Sequence, residues 1–405
     1  MLKVVHIFTE TTFLIETGLY NKALFSNTII IIGENITDKR VSVFNPIIVS
    51  GKRTDLIRVV KICSETDLVV LYELDFVKSY IALKIPQNII VAWRFFGAEL
   101  YSKNLDIYLS ESSLKSFNAK KEKFTKLLNY KSIYWKLVSL SKNRSFIGNH
   151  FEDAIERIDL FMCLFEQEYN HLIHIQKNLP PFIQIPTEIK FPKRSIPSKT
   201  NLVIIGNSRS IFNNHIDIID LIEDAHFSEQ LHFLIPFSYG VELYYTREIR
   251  RRVKNAQKNI ELLENFMSYE SYFELVSTAK AAVFNGYRQM AMGNICEAIN
   301  SGLKVYLNTH NVIYQWLKDS GIKIFTIEEF ASDLESNNLE LDSEDKEKNI
   351  GNLYKMLSQS TGEKFLTAIS TFIKEKSNND RDLVNPSASG SMKNYLTHVP
   401  NKKKI

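Results

Sequence analysis

The sequence predicts an α/β protein of two similar halves, each a parallel sheet covered by helices. Three observations predict it. Apolar runs of strand length recur along the chain and alternate with stretches of helical potential. That alternation breaks once, at a proline-rich stretch, and then restarts. In the second half, polar turns follow the apolar runs, which puts them at the carboxyl ends of strands, where open α/β sheets bind ligands.

The elements follow in order. In the first half the strand candidates are Val4–Phe8, Ile29–Ile32, Leu68–Leu71, Ile89–Ala92 and Leu160–Leu164. Then five of the ten prolines fall between Pro180 and Pro197. Proline cannot donate to a ladder or a helix, so this stretch reads as an interdomain linker. Beyond it come Leu202–Ile205, Leu231–Ile235, Ile260–Leu263, Ala281–Phe284 and Val305–Leu307. After Glu375 the composition turns polar and predicts disorder. The expected organisation is an N-terminal domain over 1–185, a linker over 186–200, a C-terminal domain over 201–376 and a disordered tail over 377–405.

Composition narrows the function. The 405 residues are 44% hydrophobic and 24% charged, and the net charge is only +4, so no global charge demands nucleic acid. Three scattered cysteines, Cys63, Cys163 and Cys296, make neither a disulfide framework nor a zinc site. The run Val4–Phe8 is too short for a signal peptide, and no uncharged apolar run is long enough to cross a bilayer. The expectation is a cytoplasmic protein, soluble or peripheral.

Four turns carry the chemistry. The first, Gly206-Asn207-Ser208, ends the Leu202–Ile205 strand, and Asn213-Asn214 stand before a helix that begins near His215. The second is Pro236 to Gly240, with Tyr239; the third is Glu264 to Tyr272. The fourth runs from Asn285 to Gly302. In it, Gly293-Asn294 lead into Ile295, Cys296 and Ala298, and helix-start amides there suit a diphosphate. Gly293 permits close backbone approach, and Arg288 adds charge compensation. A turn taken alone reads first as an ordinary loop; four in one half argue for a binding edge.

These turns resemble those of the TDP-N-acetylfucosamine:lipid II N-acetylfucosaminyltransferases, glycosyltransferase family 56, which act in enterobacterial common antigen synthesis. The family's GNS turn and Asn-x-His appear as Gly206-Asn207-Ser208 and Asn213-Asn214-His215. Its proline turn appears altered as Pro236 to Gly240, its Glu-x-x-x-x-Asp-x-Tyr segment as Glu264 to Tyr272, and its Arg-Gln-x-x-x-Gly as Arg288, Gln289 and Gly293. Leu307-Asn308 and Trp316 follow in order. In the first half, Phe96 to Tyr101 (FGAELY) stands for the family's Trp-Gly-Ala-Asp-Leu-Tyr, and His6 for an early strand histidine. The chain departs from the family at Phe96, Glu99, Asn294 and Glu297. The resemblance spans roughly residues 1 to 330, densest in the second half.

The resemblance implies a GT-B fold, two Rossmann-like domains facing each other across a cleft. It implies transfer of an (N-acetyl)fucosamine-type or related deoxysugar from a dTDP-linked donor to a lipid-linked saccharide, with retention and without metal or other cofactor. The donor would lie on Gly206, Asn207, Ser208, Asn214, His215, Pro236, Tyr239, Gly240, Glu264, Arg288, Gln289, Gly293, Asn294 and Glu297, the last beside the ribose. His6 and Glu99 would serve catalysis on the acceptor side. A retaining reaction needs no strong enzymic base, whereas an inverting one would need a carboxylate, for which Glu10 and Glu99 are the first-half candidates. A satisfied core histidine is the plain alternative for His6. The sole Asp-x-Asp, Asp380-Arg381-Asp382, lies in the polar tail, which argues against a metal-dependent GT-A enzyme. Residues 117–146 hold eight Lys/Arg against Glu122 alone, interleaved with Phe117, Phe124, Tyr130, Tyr134 and Trp135. That mixture suits the inner membrane surface, with a packed amphipathic helix the equal alternative; no nucleic-acid motif accompanies it. A sugar-nucleotide epimerase of similar architecture and a non-catalytic nucleotide-sugar-binding protein are the competing functions.

Overall fold

The computed structural model describes residues 1–33, 41–118, 150–187, 189, 191, 197–228, 230–240, 244–359 and 361–384. In the first half, β1 (Leu2–Phe8), β2 (Phe25–Ile32), β3 (Ile47–Val49), β4 (Leu68–Tyr72), β5 (Ile90–Arg94), β6 (Leu160–Cys163) and β7 (Phe182–Gln184) form one sheet. Among the described residues it has seven strands, ordered β3-β2-β1-β4-β5-β6-β7, and every pairing is parallel. In the second half, β8 (Leu202–Ile205), β9 (His232–Pro236), β10 (Ile260–Leu263), β11 (Ala281–Phe284) and β12 (Lys304–Leu307) form a five-stranded parallel sheet ordered β10-β9-β8-β11-β12. Both orders reverse beside the first strand of their half, the doubly wound arrangement. The central strands are buried on both faces, which is why they read as unbroken Val/Ile/Leu runs.

Two strands were not expected. β3 is three residues long, too short to give a periodic signal. β7 lies inside the proline-rich stretch, between Pro181 and Pro186, as an edge strand that pairs only with β6. An edge strand tolerates flanking prolines because it needs a ladder on one side alone.

The helices that matter here are α1 (Arg53–Cys63), α2 (Phe76–Ala82), α3 (Glu111–Asn118), α4 (Phe151–Arg157) and α5 (Glu166–Leu172) in the first half. In the second are α6 (His215–Asp224), α7 (Tyr244–Asn255), α8 (Tyr269–Ser277), α9 (Met292–Asn300), α10 (Val312–Asp319), α11 (Ile327–Ser336), α12 (Ser343–Gln359) and α13 (Gly362–Val384).

Two segments cross from one half to the other. Leu105, Leu109 and Leu114, at and before α3, pack into the core built on Val203, Ile205 and Phe233 of the second sheet. In return, α13 lays Phe365, Ile369 and Ile373 on Val4, Ile31 and Leu68 of the first sheet. Lys376 of α13 also pairs with Asp159. Helix α13 runs to Val384, so the polar segment from 377 begins as helix; residues 385–405 lie outside the described residues. Ile189 and Phe191 of the linker pack against the second core. The basic aromatic segment falls almost wholly on residues 119–149, outside the described residues.

Candidate donor-binding site

Ile205 pairs with Val283, so the loops leaving β8 and β11 start side by side at the point where the second sheet's strand order reverses. The first loop turns at Gly206, whose φ is 66°. A Cβ there would lie 2.9 Å from Asn213 Oδ1 and 2.9 Å from His215 Nε2, so the loop closes only on glycine. Asn207 donates from Nδ2 to Tyr239 Oη at 2.8 Å, while its Oδ1 is buried without a partner among the described residues. Ser208 is buried, and its Oγ accepts from Asn213 Nδ2 at 3.2 Å.

Asn214 and His215 do other work than expected. Asn214 sits at the N-cap of α6 in the left-handed region, with φ 48°, and its side chain does not cap the helix. Its Oδ1 instead accepts from Ser110 N of the first half at 3.0 Å, and its Nδ2 donates to Asn285 O at 3.1 Å. It is a clasp between the halves, fully buried. His215 is likewise buried, shares a 3.1 Å hydrogen bond between Nδ1 and Tyr245 Oη, and fills the crook of the Gly206 turn. Burial lowers its pKa to about 3, so the ring is neutral.

Next to this turn lies a cavity of about 460 Å³. Its polar wall is Asn207, Pro236, Tyr239 and the start of α9, Gly293 and Asn294. Its other wall is aromatic: Phe266, Tyr269, Tyr272 and Phe273. Ser268 caps α8 by accepting from Ser271 N, which fixes the turn that carries this wall. Tyr239 and Tyr269 are about half exposed and Phe266 is 83% exposed, so large apolar rings stand open to a ligand.

Helix α9 begins with Ala291 as N-cap, at φ 60°, and no side chain caps its first turn among the described residues. A left-handed alanine is costly backbone, and such strain persists where the surroundings impose it. The first-turn N–H groups therefore lack the usual side-chain acceptor at the place where Gly293 and Asn294 line the cavity. A Cβ on Gly293 would meet nothing within 4 Å. The amides and dipole at a helix start suit an anion.

The remaining candidates disperse. Gly240 has φ 116° and its carbonyl accepts from Arg209 Nε at 2.7 Å, which ties this turn to the Gly206 turn. Glu264 does not line the cavity; its carboxylate pairs with Arg250 Nε at 2.7 Å on the surface, and its neighbours Asn265 and Phe266 line the cavity instead. Glu297, expected beside the ribose, is corrected: it lies on a buried face of α9, 1% exposed, and accepts from Ser301 Oγ at 3.2 Å. Arg288 does not line the cavity either. It projects toward the first half, 4.9 Å from the Tyr101 ring centre and 4.6 Å from that of Phe212. Its Nη1 donates to Gln289 O at 3.1 Å.

The facing edge of the first sheet is built differently. His6 is fully buried in β1: Nδ1 lies 3.2 Å from Tyr72 Oη, Nε2 3.0 Å from Asn27 Oδ1, and the ring meets Tyr20 edge-on. Burial lowers its pKa to about 4 against the bond to Asn27. The catalytic expectation for His6 is thus corrected to a satisfied core histidine. Glu99 is 8% exposed; its Oε1 accepts from Trp93 Nε1 at 3.1 Å and Leu74 N at 3.3 Å, and its Oε2 is buried without a partner among the described residues. Burial raises its pKa.

Nearby, Glu73 holds φ 67°, and its pKa is raised to about 7, chiefly by burial, with Lys78 opposing and Glu99, Asp75 and Glu10 adding. Lys78 is fully buried between Thr9 Oγ1 at 2.6 Å and Asp75 Oδ2 at 2.5 Å. Glu73 escaped the sequence reading because left-handed backbone on a glutamate leaves no mark in a sequence. The aromatic wall was also missed, although its third turn had been singled out.

Residues 164–348 match the family described as 4-alpha-L-fucosyltransferase, glycosyl transferase group 56. Among solved structures, Anabaena HepE, in a complex with UDP and glucose, superposes with a TM-score of 0.60 at 11% identity, over 93% of this chain and 100% of that one. An alpha-glucosyltransferase in complex with UDP gives 0.53 at 10% identity, over 92% and 100%. The N-terminal domain of Candida albicans trehalose-6-phosphate phosphatase gives 0.59 at 11% identity, over 93% and 97%. At these identities the likeness establishes the fold: two Rossmann-like sheets in the GT-B arrangement.

Proposed function

We propose that this glycosyltransferase, whose residues 164–348 match glycosyltransferase group 56, takes a dTDP-linked (N-acetyl)fucosamine-type or related deoxysugar and transfers it to a lipid-linked saccharide. One observation carries the donor side of this reading: the aromatic cavity abuts an uncapped helix start at the reversal point of the second sheet. The base lies among Tyr239, Tyr269 and Tyr272, where every nucleobase offers a face to stack. The diphosphate lies on the first turn of α9, whose amides and dipole take up the charge that develops as the sugar leaves. HepE and the alpha-glucosyltransferase, both solved with UDP, support a nucleotide-sugar ligand.

The sugar then faces the first half, whose edge carries Glu99 and Glu73 and presents the acceptor hydroxyl. The resemblance to that family supports the deoxysugar, the lipid-linked acceptor, retention and a diphosphate neutralised by protein groups without metal; it also supports work at the inner membrane surface in bacterial surface-polysaccharide assembly. Among the described residues no helix is long and apolar enough to cross a membrane. A peripheral mode of contact fits that.

The test is a binding and product experiment on the full chain. Isothermal titration with dTDP, UDP and GDP should show dTDP bound tightest. Incubation with a dTDP-deoxysugar and a lipid-linked saccharide should release dTDP and lengthen the saccharide by one residue. Release of an altered free sugar nucleotide without acceptor would establish the epimerase instead, and binding without turnover would establish a binding protein.

A further inference from the structure

The seam between the two carboxyl edges holds a set of buried groups that donor binding on the second half alone leaves without a role. Arg288 leaves the loop between β11 and α9, the same loop that ends in the left-handed Ala291. Asn311 pins that loop, donating from Nδ2 to Arg288 O at 2.8 Å and to Gly286 O at 3.1 Å. The guanidinium lies in a slot with one wall from each half, Tyr101 and Phe212. Room for it is made by Gly97, at φ 106°, where a Cβ would come 2.9 Å from Arg288 Nη1. Behind the slot, Tyr101 Oη donates to Glu168 Oε1 at 2.5 Å, and Glu168 is 3% exposed. Arg288 Nε is buried with no partner among the described residues.

A guanidinium in such a slot loses hydration and regains it through cation–π contact and a nearby carboxylate. The carboxylate here belongs to the other half. It does not bond the arginine directly but holds the tyrosine on which the arginine rests. The arrangement leaves one donor of the fork unused, three residues before a helix start that itself lacks a cap.

We propose that Tyr101 and Glu168 of the first half are positioning residues that hold the Arg288 guanidinium for the diphosphate of the nucleotide-sugar donor. The anion site is then shared between the halves, and the donor's phosphates, unlike its base, sense the first half. This rests on the donor-site reading above. It also explains why a glutamate is buried at a seam, where an apolar residue would pack at lower cost: Glu168 fixes the tyrosine hydroxyl and so the ring plane against which the guanidinium lies. The burial that raises its pKa to about 7 is offset first by the Tyr101 hydrogen bond and next by Arg288.

The experiment compares thymidine with dTDP, and uridine with UDP, by titration calorimetry on the full chain. The variants are Glu168→Gln, Tyr101→Phe and Arg288→Lys, with each of the first two also combined with the third. Loss of a charge-assisted contact predicts about tenfold weaker nucleoside diphosphate binding in Glu168→Gln and Tyr101→Phe, with nucleoside binding within about twofold of wild type. In the Arg288→Lys background neither should weaken the diphosphate further, because both act through the fork. Equal losses for nucleoside and diphosphate, no loss, or full additivity with Arg288→Lys would overturn the proposal. Tyr101→Phe keeps the ring and its packing, so it decides the matter if Glu168→Gln fails to fold. Wild-type protein that binds neither nucleoside nor diphosphate would sink the donor-site reading itself, a different result from wild type that binds both while the variants match it.

Discussion

The two sheets share a doubly wound strand order, with seven strands in one and five in the other among the described residues, but their carboxyl edges differ in chemistry. On the second sheet the loops after β8, β9 and β10 and the start of α9 surround a cavity; there Asn207 Oδ1 has no partner among the described residues, and the N-cap residue of α9, Ala291, has no side chain that can cap the helix. On the first sheet the polar groups are largely used up internally. Thr9, Asp75 and Lys78 close a network, Arg94 forks onto Glu16 through Nε and Nη2 at 2.8 Å each, and Glu99 Oε1 takes N–H groups from Trp93 and Leu74. A doubly wound sheet therefore supplies a place for a ligand, but the loops decide whether the fold spends its donors on itself or leaves them for a substrate. In the proposed function the first edge is the wall that presents the acceptor, and the second edge receives the donor.

The sharpest way to break this comparison is Gly293→Val. A side chain at 293 enters open space, so the fold should survive, and valine in place of glycine costs a helix nothing. It would also fill the approach to the α9 amides. The expected result is loss of dTDP affinity by about a hundredfold, the order of two or more charge-assisted hydrogen bonds, at an unchanged Tm. Unchanged affinity in a folded variant would move the diphosphate away from α9.

Glu99→Gln tests the other edge and should do less. The amide oxygen can keep the bonds from Trp93 and Leu74, so the wall keeps its shape. What is lost is the carboxylate, whose Oε2 has no protein partner among the described residues. The expected result is unchanged dTDP binding and a fall in transfer rate of about tenfold, read by steady-state kinetics with both substrates. Abolished dTDP binding in Glu99→Gln, together with normal dTDP binding in Gly293→Val, would reverse the assignment of the two edges.

The strands were legible for a simple reason: parallel strands buried on both faces must be continuous apolar runs, and all ten expected runs overlap strands. The site was legible only in part. Gly206, Asn207, Gly293 and Asn294 stood out because turn residues after a strand have few alternatives. The sequence could not show that Arg288 reaches the first half, because that depends on how two separately built sheets meet. Nor could it separate His6, a core residue, from a catalytic histidine, since both are a polar residue in an apolar strand. Asn214 carries the same lesson: it sits in a recognisable motif, yet its side chain clasps Ser110 across the seam.

The two buried histidines sharpen the comparison with the smallest expected effect, because here the halves should behave alike. His6 lies in β1 of the first half and His215 at the start of α6 of the second. Each is held neutral by burial, its pKa lowered from 6.5 to about 4 and about 3. The groups that face them are neutral: Tyr72, Asn27 and Tyr20 around His6, and Tyr245 around His215. In the unfolded chain both take up a proton as pH falls below about 6.5, and in the folded chain neither does until far lower. The stability they confer by staying neutral is therefore complete above about 6.5 and is lost as pH falls toward their folded values; between pH 7 and 6 each histidine costs about 0.7 kcal/mol. Glu73 and Glu168, with pKa values raised to about 7, act in the opposite direction over the same range, so the Tm of the wild type alone does not isolate the effect. The difference does. His6→Gln and His215→Gln should each be less stable than wild type at pH 7, and each deficit should narrow as pH falls from 7 to 5, because glutamine does not titrate. Thermal denaturation at half-unit pH steps reads this directly. A deficit that stays constant with pH for either residue would mean that its imidazole takes up a proton in the folded state as readily as in the unfolded chain, and for His6 that outcome would restore the catalytic reading that its burial removes.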